Sequence, residues 1–491
     1  MKMTRNHIYA VAVLLIMPLI AGAQALKGSY FLDNSFNRHE LNPAFAPRAN
    51  YFQGLGIGNI GVGAMSNLDV PTLFYPKNGE LLTFLNKGVS VKEFDKKLPN
   101  HIHLDTEVST TLLGFGFYTK RLSYWTFDLD IKGMVDMDMP RDLLMFVKKG
   151  VGTDGNSYNI GNVNGYMMAG LQASLGYSRI IFNGFRAGIK AKFIAPIAYA
   201  AMNLENVRLD TSYDKWTITT EGYAHAALLG LDVSVPENEV MPSIGGFDLN
   251  KTLAGGVLAG MGVAFDLGVE YTLNLGTIFD GLSVSAAVTD LGMIKYKGEA
   301  TKSFKTSGSV DWTGFQDLNS DNLEFESTID EFMQKAKEEL FNLSEVNTVS
   351  GFTRSTMPRF YVGAEMPFLK RSMSVGLLYS SRLSHSYARH EMTVSYNLNP
   401  CKWFALGLNY SFLNTANTMG FILEFTPKAG PAFYIGGDYI PVAGFKVPSM
   451  SQSLGLPLNI LPLSMRLNLN FGIALHLGSK HLKKAQEEKK D

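Results

Sequence analysis

The sequence predicts an all-β chain, a transmembrane antiparallel β-barrel of about fourteen strands, with an N-terminal hatch-like segment and large extracellular loops. Three observations predict it. Apolar and polar residues alternate with period two over runs of ten or more residues, whereas an average soluble strand has about five or six. The connections alternate between short turns and long loops. The strands, once counted, come to an even number, as closure of a single-chain barrel requires.

Composition fits that class and excludes others. Gly supplies 48 residues, aromatics 12% and charged residues 18%, the last below the roughly 25% of an average soluble domain. After the N-terminus no run of about 18 apolar residues occurs, which excludes helical spans. With 44 basic and 44 acidic residues there is no basic stripe, so nucleic acid is not an expected partner. The single cysteine, Cys401, sits in the turn-like Asn399-Pro400-Cys401 and reads as a solvent-edge thiol, not a nucleophile.

Residues 1–23 read as a secretory signal peptide. Lys2 and Arg5 form a basic start, Ile8 to Ile20 an apolar run, and Ala21-Gly22-Ala23 the small residues a signal peptidase reads. Residues 24–50 form an N-terminal segment assigned to the lumen, 51–478 the barrel, and 479–491 a charged periplasmic tail.

The strands are expected near 53–65, 105–118, 121–137, 166–180, 185–198, 257–274, 281–293, 357–368, 371–382, 386–399, 402–413, 418–427, 431–440 and 462–477. The last is the clearest. Leu463, Met465, Leu467, Leu469, Phe471, Ile473, Leu475 and Leu477 share one face, and polar or small residues the other. At about 3.4 Å per residue and a tilt near 45°, such a strand spans roughly 35 Å, enough to cross a bilayer core. Assigning the short turns to the periplasm places both termini there, in the outer membrane of a Gram-negative cell.

Aromatics gather at the short turns. Phe117 and Tyr118 are expected to face Tyr124 and Trp125, Tyr396 to face Trp403 and Phe404, and Phe425 and Phe433 to flank a third turn, as an interfacial girdle does. In the long loops, 327–341 reads as an amphipathic helix, 80–86 and 141–149 as shorter helices, and 203–228 as an outlying hairpin.

Few motifs suggest chemistry. Gly56-Ile57-Gly58-Asn59-Ile60-Gly61 matches a dinucleotide-binding string, but Val62-Gly63-Ala64 continues as strand where a helix would have to open, so close packing of strands or a plug explains the glycines better. His101 and His103 share one face of an extended segment, and no nearby Cys/His pair completes a metal set. No G-x-S-x-G elbow appears. The sequence therefore points to no catalytic residue, metal ligand, cofactor or enzyme activity.

The inward face carries more information. Arg186, Lys190, Lys192, Asp266, Glu270 and Arg466 are its lumen-lining candidates, with Lys190 counted to lie near Glu270. Glu365, Arg389, Glu391 and Glu424 add further charge. Such groups either bond one another and hold the wall's shape or line a solute's path, and their mixed signs argue against strong ion selectivity.

Two motifs in this setting resemble a known group. Leu41-Asn42-Pro43-Ala44-Phe45 follows the leader, and Val288-Thr289-Asp290-Leu291-Gly292-Met293-Ile294 lies in a later strand, the Asp290 stretch reading as a strand end turning into a loop. Together they resemble uncharacterised outer-membrane barrels of the Bacteroidota, a family of unknown function similar to long-chain fatty-acid transporter barrels and to the barrel component of type IX secretion. In the fatty-acid transporters an Asn-Pro-Ala box belongs to a hatch folded into the lumen. The resemblance implies that role for Asn42, Pro43 and Ala44.

The expectation is a passive transporter or channel for a small or hydrophobic solute, with outer-membrane lipid and a small hydrophobic ligand as partners. The alternative is a non-transporting scaffold or secretion-associated barrel that binds an exported protein partner through the extracellular loops at 199–256 and 294–356.

Overall fold

Period-two alternation becomes a closed wall because every strand has one apolar face to turn outward and two edges to pair. The structure, a computed structural model, describes residues 25–54, 58–77, 80–120, 122–150, 155–211, 215–227, 231–234, 243–247, 258–273, 281–312, 351–369, 371–413, 417–442, 444–446, 460–462 and 464–478. The expected leader, the helix at 327–341 and the charged tail lie outside the described residues.

The wall is made of β1 (in two pieces, Asn50–Gly54 and Ile60–Ser66), β2 (His101–Tyr118), β3 (Tyr124–Pro140), β4 (Val163–Phe182), β5 (Phe185–Leu204), β6 (Gly260–Thr272) and β7 (Ser283–Tyr296). It continues through β8 (Arg359–Phe368), β9 (Met373–Leu383), β10 (Ala388–Cys401), β11 (Phe404–Phe412), β12 (Thr418–Phe425), β13 (Ala429–Pro441) and β14 (Arg466–Gly478). Each strand pairs antiparallel with the next, and β14 pairs back onto β1, so the barrel closes with fourteen strands.

Burial along each strand is the reverse of a soluble protein's. On β6, Met261, Val263, Phe265, Leu267 and Val269 are exposed, while Gly262, Ala264, Asp266 and Gly268 are buried. The same inversion runs along β14, where Leu469, Phe471 and Leu475 face out and Asn468, Asn470 and His476 face in. An exposed band of large apolar residues around the whole wall is stable only against lipid.

At the short-turn end the register pairs Phe117 with Trp125, Tyr118 with Tyr124, and Phe425 with Phe433. Two girdle expectations need correction. Tyr118 and Tyr124 point inward and donate to the Pro47 and Ala49 carbonyls. Tyr396 pairs with Leu408, because the turn is tight and Phe404 already pairs with Cys401, five positions further along β10.

At the opposite end, Arg141–Lys149 is helical as expected, and Arg208–Thr211 pairs with Trp216–Ala227 in the expected hairpin. The stretch at 80–86 is not a helix. Glu80–Thr83 pairs with Phe74–Lys77, and Phe84 stacks on Phe94 of a separate helix, Val91–Lys97, with ring centroids 4.8 Å apart. Tertiary packing overrides the local helical pattern there. These pieces share one apolar cluster, including Leu68, Phe94, Ile102, Met145, Tyr158 and Leu209, which covers that end of the wall.

Candidate functional site

Residues 25–49 pack against inward-facing side chains from opposite sides of the wall. Single 3-10 turns at Lys27–Ser29 and Arg38–Glu40 keep the segment short and bent. Two apolar anchors hold it. Leu26, Leu32 and Phe36 cluster with Tyr51, Ile422 and Tyr434 on one side. Tyr30, Phe31, Leu41 and Phe45 cluster with Ala287, Tyr361 and Leu378 on the other.

The wall is hollowed to admit this chain. Gly188 of β5 and Gly268 of β6 stand side by side. A Cβ at Gly188 would strike the Pro43 carbonyl, and one at Gly268 would strike the Asn42 side chain and the Pro43 ring. Asn42 Oδ1 accepts from the Ala44 N–H (2.9 Å), and its Nδ2 donates to the Val269 carbonyl (3.2 Å). Ala44 is fully buried. Asn42, Pro43 and Ala44 thus lie against β6 and β5, and the room they need comes from the wall's own glycines.

Polar ties complete the fit. His39 Nδ1 accepts from Lys190 Nζ (2.8 Å), and its Nε2–H donates to the Tyr51 hydroxyl (2.7 Å). Burial, with Lys190 and Lys192 beside it, holds the imidazole well below its usual pKa, so it is neutral. Lys27 pairs with Glu391, donates to Tyr439 (2.5 Å) through its ammonium group, and donates to Asp438 (2.8 Å) through its backbone N–H. Asn59 donates to Glu40 (3.1 Å) and accepts from Tyr434. Burial pushes the Glu40 carboxyl up to about 7, with Asp130 adding to the shift and Lys132 opposing it. Burial alone would raise Asp33 too, but Arg38, Arg48 and Arg371 hold it down at about 2.

Asn59 also explains a departure from the expected β1. Between Gly54 and Ile60 the strand breaks, while its partner β2 runs on from Leu113 to Thr110. The break lets Asn59 reach inward, and the Gly58 carbonyl accepts from the Ile473 N–H (3.1 Å). Of the dinucleotide-like string, Gly56 and Ile57 lie outside the described residues, and Ile60 and Gly61 open a wall strand that runs on to Ser66.

The lumen-lining candidates fall as follows. Arg186 is half-buried and donates to Ser178 (3.1 Å). Lys192 bonds both Asp266 (2.8 Å) and Asp290 (2.6 Å). Arg466 is buried and donates to the Ser66 carbonyl (3.1 Å). Lys190 does not lie opposite Glu270. It lies opposite Asp266, and Glu270 lies opposite Arg186. The tight turn before β5 ends with the Gly184 carbonyl bonded to the Thr272 N–H (2.8 Å), which starts the pairing at Phe185 and Tyr271 and slips the counted register.

Asp290 is also not a strand end. It is a mid-strand bulge in β7 with φ +58°, a conformation aspartate tolerates better than most residues. Its N–H donates to Asp266 (2.8 Å).

His101 and His103 do share a face, both directed at Asp138 (3.4 and 3.0 Å). Among the described residues no His, Cys, Asp or Glu group has the geometry to hold a metal. Sequence reading missed Asp105, Glu107, Arg359 and Arg382, although alternation alone would have turned Asp105 and Glu107 inward.

Small spaces remain in the lumen beside the segment. One of about 30 Å³ is lined by charged groups including Glu40, Asp128, Asp130, Lys132 and Lys190. It shares Glu107, Lys132, Gln172, Asp290 and Arg359 with a neighbouring space of about 40 Å³, whose other walls include Met134, Tyr166, Met168, Ile194, Ile294 and Met357.

A family model described as "Family of unknown function (DUF5723)" matches residues 43–438. No curated protein matches the chain. Among solved structures, the P. putida toluene transporter TodX is 9% identical, with 93% of this chain and 96% of that chain covered and a TM-score of 0.36. The CymD monoaromatic hydrocarbon channel is 8% identical, with 94% and 98% covered and a TM-score of 0.37. A Pseudomonas aeruginosa FadL homologue is 9% identical, with 91% and 96% covered and a TM-score of 0.24. Likenesses this remote carry no argument about cargo.

Proposed function

The chain belongs to this family of unknown function, so its role has to come from its own lumen, and we propose an outer-membrane passive transporter or channel for a small or hydrophobic solute, with residues 25–49 as its hatch. One observation carries the reading. Two neighbouring spaces in the lumen combine a charged floor with a wall of methionine, isoleucine and tyrosine, a lining with the mixed character that a small amphipathic molecule needs. The niche at Gly188 and Gly268 supports a hatch role for Asn42, Pro43 and Ala44. Arg186, Lys190, Lys192, Asp266, Glu270 and Arg466 line or brace the path.

In this reading residues 1–23 direct export, the short turns and both termini face the periplasm, and the long loops face outward. Planar-bilayer conductance and liposome uptake of hexanoate test it. The full chain should conduct weakly, and deletion of residues 25–49 should raise flux on the order of tenfold. Impermeability of both forms sinks the reading.

A second reading has one observation in its favour. Beyond the wall, Trp216–Ala227 pairs with Thr301–Trp312 along twelve positions, a platform suited to an exported protein or to secretion machinery such as the type IX system of the Bacteroidota. Crosslinking from native membranes tests it, and recovery of the barrel alone counts against it.

A further inference from the structure

The rim at the short-turn end carries charge mostly of one sign. Lys120 lies between β2 and β3, Arg371 between β8 and β9, Lys402 between β10 and β11, and Lys428 between β12 and β13. Arg179 stands near the β4–β5 turn, and Arg48 just ahead of β1. All six side chains are exposed, and the same turns hold Arg121 and Lys370 in sequence. Two acids accompany these cations, Asp280 of the β6–β7 turn and Asp33 of the segment. Asp33 is already shared by Arg38 (2.9 Å), Arg48 (2.5 Å) and Arg371 (3.9 Å). Behind the rim, Arg38, Arg186, Glu270, Glu365 and Glu424 face the lumen. With all of these counted as ionised, ten cations stand against five acids. The tail at 479–491, with five lysines and three acids, does not reverse the sign.

Placement against the lipid-facing band decides what meets this charge. Arg179 shares the outward face of β4 with the exposed Leu175. Lys402 adjoins Trp403, and Arg371 lies two positions from Leu369, both apolar side chains being more than half exposed. A cation on a lipid-facing wall is stable at headgroup level, with its stem along apolar surface and its charge in the polar layer. Phe117, Phe182 and Phe433, exposed at the same turns, mark that level. The cations occupy five of the six short turns and so ring the wall. A docked protein would cover one sector, whereas lipid surrounds the whole circumference. Among the described residues, Lys120, Arg179, Lys402 and Lys428 form no ion pair. At the long-loop end exposed cations have acids beside them, Lys77 with Glu93, Arg208 with Asp210 and Lys215 with Asp311.

We propose that this rim binds anionic phospholipid of the periplasmic leaflet through its phosphodiester headgroups. The ammonium and guanidinium groups donate to phosphate oxygens, and the surrounding lipid supplies the negative charge that the turns lack. The inference rests on the transport reading for its orientation and for nothing else, so lipid preference is measurable in a barrel that passes no solute.

The test uses the full chain in phosphatidylcholine bilayers, probed with spin-labelled phosphatidylglycerol and spin-labelled phosphatidylcholine. The motionally restricted fraction of each probe reports the lipid held at the wall. Phosphatidylglycerol should be enriched there on the order of fivefold at low salt. That preference should largely vanish in about 1 M sodium chloride, where the Debye length is about 3 Å. A combined variant, Lys120→Gln, Arg179→Gln, Lys402→Gln and Lys428→Gln, should lose most of the preference, with heat-modifiable gel migration reporting a folded barrel. Glutamine at the exposed Lys87, Lys92, Lys96 and Lys149 removes as much charge from the long-loop end and should leave the preference intact. An acidic periplasmic protein as the true occupant would show as no preference between the lipids. That result, an unchanged preference in the folded rim variant, or an equal loss in the loop variant overturns the proposal. So does surface exposure, on intact cells, of an epitope inserted at Lys428.

Discussion

The two halves of the lumen are closed by different means. Toward the short turns the filling is backbone, residues 25–49, seated by shape on paired glycines and two apolar anchors. Toward the long loops the obstruction is side chains alone, a row of Arg359, Arg382 and Arg389 bridged to Asp105 and Glu107. A backbone plug leaves only as a unit, because its peptide groups need partners throughout. An ionic bar rearranges one rotamer at a time. The difference teaches that one wall construction accommodates two kinds of filling, one of backbone and one of paired charges.

Substitutions in the plug sharpen the contrast. Phe36 is fully buried against Tyr51 and Tyr434, with centroids 5.8 and 5.5 Å away. Phe36→Ala should weaken docking by about 4 kcal/mol, read as lost hydrogen-exchange protection across residues 26–49 together. Loss confined to residues near 36 would mean that the segment is not one unit.

Lys27→Met leaves Glu391 buried without its cation, and should cost about 3 kcal/mol. Adding Glu391→Leu should restore part of that loss in thermal melts. A double-mutant cycle with no coupling would break the assignment.

Gly268→Ala should cost about 2 kcal/mol by overpacking Asn42 and Pro43. Gly133→Ala, whose added methyl would meet nothing closer than 3.9 Å, should be near neutral. Equal effects would mean that the niche is not what seats the segment.

The smallest effect is pH dependence. A detached Glu40 ionises above about 4.5, but a docked one only above about 7, so its contribution to docking falls as pH rises between those values. A detached His39 is protonated below about 6.5, whereas the docked ring resists protonation, so its contribution falls as pH drops below 6.5. The two trends oppose, and wild-type protection should change little between about pH 5 and 7. Glu40→Gln leaves only the histidine, and protection should then rise on the order of tenfold over that range. A flat profile in that variant would exclude His39 as the opposing group.

How far the sequence reaches follows from what alternation encodes. Lipid outside and water inside impose a two-residue period on every wall strand, so all fourteen were legible, and with them the inward face of Lys190, Lys192 and Asp266. A period says which way a side chain points and nothing about what stands opposite across the lumen. Arg382 and Asp105 are 277 positions apart, and no local pattern links them. Register was legible only where a tight turn could be read. Phe425 and Phe433 came out in register, whereas Lys190 and Glu270 did not, because the Gly184–Thr272 bond sets a different starting point. The β1 break and the Asp290 bulge escaped because each is held by a distant partner.

The seam of the wall joins its first strand to its last, with Ile60 beside Phe471 and Ala64 beside Leu467. Contacts so far apart along a chain form late and slowly. Sealing therefore waits until the whole polypeptide has arrived, and residues 25–49, tethered directly to the first strand, are enclosed at or before that step. Assembly order thus decides what the finished vessel contains.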